Sequence, residues 1–313
     1  MAVLWILLGL ALLLVGGEFL VRGASGIALK MKITPLIVGL TIVSFATSAP
    51  ELIVSVRASF TGHPDIALGN VIGSNIANIG LILGITAIGF SLPVTWLAYR
   101  SDWWVMIFSS ALLGFFILDG TLSSVEGLIL VAGLVSYIIL KIRDNKKSKS
   151  AEVDLDPSVA KKSIWTLILL LILSVVALRY GAEFLVLGAV ETALHLGIEE
   201  RVVSLTVVAF GTSIPELAAS LIAAKKGEKE MAIGNVVGSN IFNILSVLGF
   251  SSIITDIPVL SSDTVDFDLW WMLGFALALW PLMRYFTKAH IGRVEGILLL
   301  AAYILYVYLL IAH

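Results

Sequence analysis

Two glutamates stand where an acid is least expected. Glu51 and Glu216 each lie inside an apolar run, one residue after a proline, in TIVSFATSAPELIVS (residues 41–55) and TVVAFGTSIPELAAS (residues 206–220). An ionisable group at the centre of a membrane span costs about 2.5–3.5 kcal/mol on insertion scales, so two such acids in matching places call for a chemical task. Proline donates no N–H and clashes with the carbonyl four residues back. Beside Pro50 and Pro215 the carbonyls of Ala46 and Gly211 therefore lose their helical partners. Thr47, Ser48, Thr212 and Ser213 flank the two breaks. Carboxylates, hydroxyls and released carbonyls form the donor set of a hard cation, and calcium takes about 6–8 such oxygens. Two negative charges match one divalent ion, two sodium ions or two protons. A protonated glutamate bonded to a neighbouring helix is the plainer alternative.

A second pair of blocks follows each proline: GNVIGSNIAN at 69–78 and GNVVGSNIFN at 234–243. Ser74 and Asn78 are four residues apart and share a helical face, as do Ser239 and Asn243. These four offer neutral oxygens to a cation. Asn75 and Asn240 fall off that face and are expected to bond a neighbouring helix. Asn70 and Asn235, at the helix starts, suit a cap, a stabiliser of the break or a ligand. Gly69 with Gly73, and Gly234 with Gly238, are small-xxx-small pairs that permit close helix approach.

Other polar residues have simpler explanations. Glu18 with Arg22, and Arg179 with Glu183, are opposite charges four apart that neutralise each other on one helix face, with a gating role as the alternative. His63, His195, His290 and His313 show no HExxH spacing. No Walker-type phosphate loop is present, which argues against ATP-driven pumping. The pairs Trp103–Trp104 and Trp270–Trp271 fit interfacial anchors.

The elements that must position these residues follow from composition. The chain has 313 residues, 59% hydrophobic and 13% charged, with a mean hydropathy of +1.03. Soluble proteins carry about 45–50% apolar and about 25% charged residues, so this chain lacks the polar shell of a water-soluble fold. Spans of about 20 residues fill most of it, near 3–28, 34–58, 66–90, 102–118, 124–142, 164–188, 202–224, 231–254, 269–286 and 294–311. The first run, Val3 to Val21, has no basic n-region or Ala-x-Ala site and is expected to be a retained span. The fold class is thus an all-α polytopic membrane protein. Net charge −2 argues against nucleic acid as a partner, and the absence of cysteine excludes thiolate sites.

Lys141–Ser163 is the long polar stretch, charged and without apolar period, and is expected to be a loop. Alternate loops carry the lysines and arginines, seven of them in that stretch. The positive-inside rule then puts the linker in the cytoplasm and both termini outside the cell membrane. The blocks repeat at an offset of 165, pairing Glu51 with Glu216, Asn78 with Asn243 and Glu18 with Glu183. Five spans per half is an odd number, so the second copy would enter the bilayer inverted. The expected organisation is residues 1–142 as the first half (spans one to five), 143–163 as the cytoplasmic linker and 164–313 as the second half. Inverted repeats with interrupted helices at matching positions point to a secondary transporter with a site near the midplane.

FATSAPEL and FGTSIPEL, followed by GNVIGSNIAN and GNVVGSNIFN, make the chain resemble the sodium/calcium exchanger family, of prokaryotic type, in the calcium/cation antiporter superfamily. The resemblance implies ten transmembrane helices as two inverted-topology five-helix repeats, with four central helices around a cluster of ion sites. It implies Glu51 and Glu216 as the principal calcium and sodium ligands. Thr47, Ser48, Ser74, Thr212, Ser213 and Ser239 would add oxygens, carbonyls around Ser44 and Ala209 would complete sodium sites, and Asn78 and Asn243 would line the centre. The first and sixth helices would slide to alternate access. Several family members carry an acid where this chain has Asn243, which leaves two central carboxylates here. The linker is too short for the regulatory calcium-binding domains of animal exchangers. The implied activity is not enzymatic. It is antiport of Na+ against Ca2+, with H+ as the alternative driving ion and a cation channel below that. Ca2+ and Na+ are cargo, the lipid bilayer is the surrounding partner, and no cofactor is required. Oligomeric state and stoichiometry are not legible.

Overall fold

The computed structural model describes residues 1–94, 96–147, 162–196, 211–286 and 290–312. Its helices are α1 (Ala2–Met31), α2 (Pro35–Thr47), α3 (Ala49–Phe60), α4 (Asp65–Gly89), α5 (Trp96–Asp119), α6 (Ser124–Lys147), α7 (Ile164–His195), α8 (Ile214–Lys225), α9 (Lys229–Ile254), α10 (Thr264–Arg284) and α11 (Arg293–Ala312). In lipid every backbone polar group must be satisfied within the chain, and a helix does this by itself. Among the described residues, eight of these helices are long and apolar enough to cross a membrane, and α2 with α3, bent by 42° at their junction, would make a ninth. The span expected at 202–224 is described only from residue 211 onward, where α8 lies.

Two features were not legible in the sequence. Leu92–Pro93 (β1) pairs with His290–Ile291 (β4), and Thr121–Leu122 (β2) pairs with Ile257–Pro258 (β3), both antiparallel. Within the helices, π turns occupy Gly39–Val43, Asn78–Leu83, Asn243–Leu248, Thr264–Asp268 and Leu282–Phe286. The expected loop also begins later, because α6 continues to Lys147. Lys141 explains this in part: its ammonium returns to Asp102 at 2.5 Å, which holds the last turns of α6 against α5.

The packing forms two compact units. One holds Met1–Thr47 with the described part of Ser148–Asn235, the other Ser48–Lys147 with Val236–His313. In the first unit α1 and α7 run antiparallel, backbone against backbone. A Cβ on Gly9 would stand 2.6 Å from Leu185 N and 2.8 Å from Gly181 O, and one on Gly188 would stand 2.7 Å from Ala2 O. Gly234 approaches α2 just as closely, its notional Cβ 2.7 Å from Leu36 O. Glu18 of α1 is paired with Arg22 on its own helix and with Lys226, just past α8, at 2.7 Å.

In the second unit, Trp103 of α5 is buried and donates its indole N–H to Ala276 O of α10 at 2.8 Å. It therefore packs inside the protein, whereas Trp104 and Trp270 are exposed as an interfacial anchor requires. Asp102, fully buried, accepts from Tyr137 Oη at 2.8 Å as well as from Lys141. Among the described residues, a Cβ on Gly69 or Gly73 would meet nothing within 4 Å. In the second copy Gly234 makes the expected close approach, with α2 as its neighbour.

Gly9→Ala sets a better helix former against an immovable backbone, and the steric cost wins. We expect a loss of about 1–3 kcal/mol, seen as a lower thermal midpoint in detergent. Gly69→Ala, where a Cβ meets none of the described residues, is expected to hold or slightly raise the midpoint, as alanine favours the helix by about 1 kcal/mol.

Candidate ion-binding site

The two prolines start helices rather than interrupt them. Pro50 and Pro215 stand in the first turns of α3 and α8, where the missing N–H has no intrahelical acceptor in any case. Ser48 (φ −83°, ψ 2°) and Ser213 (φ −88°, ψ 0°) precede the two helices as N-caps. Leu52 N to Ser48 O and Leu217 N to Ser213 O, each 3.1 Å, restart the helical ladder. Glu51 and Glu216 therefore lie in first turns, at the positive end of the helix dipole, which favours a carboxylate. They are 0% and 1% exposed.

The first unit holds Ser44, Thr47, Thr212, Ser213 and Glu216. All except Thr212 are buried. Asn235 organises this group. Its Nδ2 donates to Ser220 Oγ (3.0 Å) and Glu216 O (3.4 Å), and its Oδ1 accepts from Thr47 Oγ1 (3.1 Å). The Ser44 hydroxyl donates to Gly39 O (2.7 Å) and lies 3.0 Å from Asn235 O. The backbone carbonyl of Ser44 faces Thr47 Oγ1 at 3.3 Å. Asn235 thus stabilises the break instead of capping a helix. Ala209 lies outside the described residues.

The second unit holds Ser48, Glu51, Ser74, Asn78, Ser239 and Asn243, all buried. Asn70 Nδ2 donates to Ser55 Oγ at 3.2 Å, repeating the Asn235–Ser220 contact at the same offset of 165. Asn78 and Asn243 open the matching π turns of α4 and α9, and π turns recur at functional sites. Asn78 Nδ2 donates to Asn240 Oδ1, and Asn243 Nδ2 donates to Asn75 Oδ1, both at 3.1 Å. The Oδ1 atoms of Asn78 and Asn243 are buried and accept no hydrogen bond from the described residues. A buried acceptor left unsatisfied costs about 1–3 kcal/mol.

Asn75 and Asn240 bond across helices, as their off-face spacing predicts. The sequence reading missed Ser55 and Ser220, although both stand within the repeated blocks, one turn after the glutamates. Met106 and Met272, which receive amide N–H groups from Asn240 and Asn75, lie outside the blocks and carry no sequence signal. Glu18 does pair with Arg22, whereas Arg179 and Glu183 make no ion pair among the described residues. No cluster of three or more His, Cys, Asp or Glu side chains able to hold a metal occurs among the described residues.

Helices long and apolar enough to cross a membrane, with buried acids in the first turns of two others, define a polytopic membrane protein. A profile described as sodium/calcium exchanger protein matches residues 1–143 and 166–312. The sodium/calcium exchanger MaX1 of Methanosarcina acetivorans is 31% identical, covering 97% of each chain. The inner membrane protein YrbG of Escherichia coli is 33% identical, covering 97% of this chain and 95% of that one. A solved structure of the sodium-calcium exchanger NCX_Mj, soaked with zero Na+ and Ca2+, superimposes with a TM-score of 0.82 at 34% identity, covering 99% of this chain and 98% of that one. The chain belongs to the sodium/calcium exchanger family.

Asn235→Leu removes the partner of Thr47 Oγ1 and of Ser220 Oγ and a donor to Glu216 O. We expect about 1–3 kcal/mol of lost stability, read as a lowered thermal midpoint of the purified protein. An unchanged midpoint would show that the network does not hold the break.

Proposed function

We propose that this chain exchanges Na+ for Ca2+ across the cell membrane by alternating access, with Glu51 and Glu216 as the charged ligands of one central site. The observation that carries this is the burial of both carboxylates in the first turns of proline-started helices inside duplicated motifs. Thr47, Ser48, Thr212, Ser213, Ser74 and Ser239 supply hydroxyls, Asn78 and Asn243 supply amide oxygens, and Ser44 and Ala209 supply carbonyls. Two carboxylates balance one Ca2+ or two monovalent ions. An occupied site is close to neutral and can change its access, while an empty one leaves two anions in a medium that penalises them. Exchange is then obligatory, because the protein crosses between its states only when loaded.

Ten spans in two inverted halves, residues 1–142 and 164–313, with a cytoplasmic linker at 143–163 and both termini outside, complete the proposal. The antiparallel course of α1 and α7, the first helices of the two halves, supports the inversion. Basic residues in alternate loops support the orientation.

Proteoliposomes test the whole proposal. An outward sodium gradient is expected to drive uptake of radiolabelled calcium, and Glu51→Gln or Glu216→Gln is expected to reduce that uptake to background. Uptake driven by a pH gradient without sodium would replace Na+ by H+ as the coupling ion. Calcium current with no counter-ion would make the protein a channel, and full transport by either Gln variant would overturn the site.

A further inference from the structure

We propose that Asn75 and Asn240 are positioning residues that lock the amides of Asn243 and Asn78 with their carbonyl oxygens facing the ion, each residue acting on the opposite repeat. This deepens the exchanger proposal and rests on its assignment of Asn78 and Asn243 as ligands.

A neutral asparagine is an ambiguous cation ligand. One end of its amide attracts a cation and the other repels it, and the two ends have nearly the same shape. Orientation must therefore be imposed by something else, and here it is imposed by Asn75 and Asn240. Asn78 Nδ2 is held at 3.1 Å by Asn240 Oδ1, and Asn243 Nδ2 is held at 3.1 Å by Asn75 Oδ1. The clamps are oriented in turn by groups that only accept. Asn75 Nδ2 donates to Asn240 O at 3.3 Å and to Met272 Sδ at 3.7 Å, and Asn240 Nδ2 donates to Met106 Sδ at 3.6 Å. A carbonyl and a thioether have no proton to give, so turning either clamp amide over would set oxygen against oxygen or sulfur.

All four asparagines are 0–1% exposed, so no bulk water can stand in for a lost partner. The orientation passes from Met272 through Asn75 to Asn243, and from Met106 through Asn240 to Asn78. At the end of each chain remains one buried oxygen that accepts nothing from the described residues, the Oδ1 of Asn243 or Asn78. Each ligand is thus set by a residue of the other repeat.

The test uses purified full-length protein and equilibrium binding of radiolabelled calcium, which does not depend on the coupling ion. Asn75→Leu removes the acceptor and frees the Asn243 amide to turn. The calcium concentration for half-maximal binding is expected to rise about tenfold, the value of one hydrogen bond of this kind. Asn75→Asp keeps an acceptor for Asn243 Nδ2 and is expected to bind calcium at least as tightly as the native chain. In an Asn243→Ala background, Asn75→Leu is expected to add no further shift, because the residue it acts through is gone. If Asn75→Leu does not fold, Asn75→Ala takes its place in the same cycle. An unchanged half-saturation for Asn75→Leu, or an equal extra shift in the Asn243→Ala background, would overturn the clamp. If Asn243→Ala itself leaves binding unchanged, it is the ligand assignment that fails, and the clamp fails with it.

Discussion

A polar atom inside an apolar, water-free region must have a partner, and this requirement governs the protein at every scale. Backbone groups meet it by helix formation, which is why the described residues are almost wholly helical. Side chains meet it in small closed networks. Asp102 is surrounded by Lys141 and Tyr137, Asn235 by Thr47, Ser220 and the Glu216 carbonyl, and Asn75 and Asn240 by each other's helices. Against this background the Oδ1 atoms of Asn78 and Asn243 are exceptions. These two oxygens head the matching π turns of the duplicated blocks.

Duplication placed the same blocks in two settings, and the settings changed what they do. A Cβ on Gly234 would meet the backbone of α2, while one on Gly69 would meet none of the described residues. Asn235 joins three elements, and Asn70 repeats its bond to a serine one turn beyond a glutamate. Asp102 and Asp268 each accept from a tyrosine, Tyr137 and Tyr306, but the lysine that neutralises Asp102 belongs to the first copy. The parts kept alike in both copies, the proline-started helices and the π turns headed by asparagine, are those that carry the proposed ligands.

The membrane class, the helix content, the two proline-linked breaks and the family were legible in the sequence because each rests on a local property. Hydropathy over about 20 residues marks a span, proline marks a backbone that cannot continue its ladder, and a repeat is visible by inspection. The off-face position of Asn75 and Asn240 was legible too, since it needs only the helical period. The burial of Trp103, the π turns and the two short strand pairs were not, because each depends on a neighbour distant in the chain.

The amino-acid order by itself determined which atoms this protein could offer to a cation: two carboxylates, paired hydroxyls and four asparagine amides in duplicated motifs. Only the tertiary structure decided how those amides are held. Asn75 donates to the Asn240 carbonyl and to Met272, and Asn240 donates to Met106, and neither methionine belongs to the motifs. An amide has no preferred face until the fold supplies a partner for one of them, and the partner comes from packing.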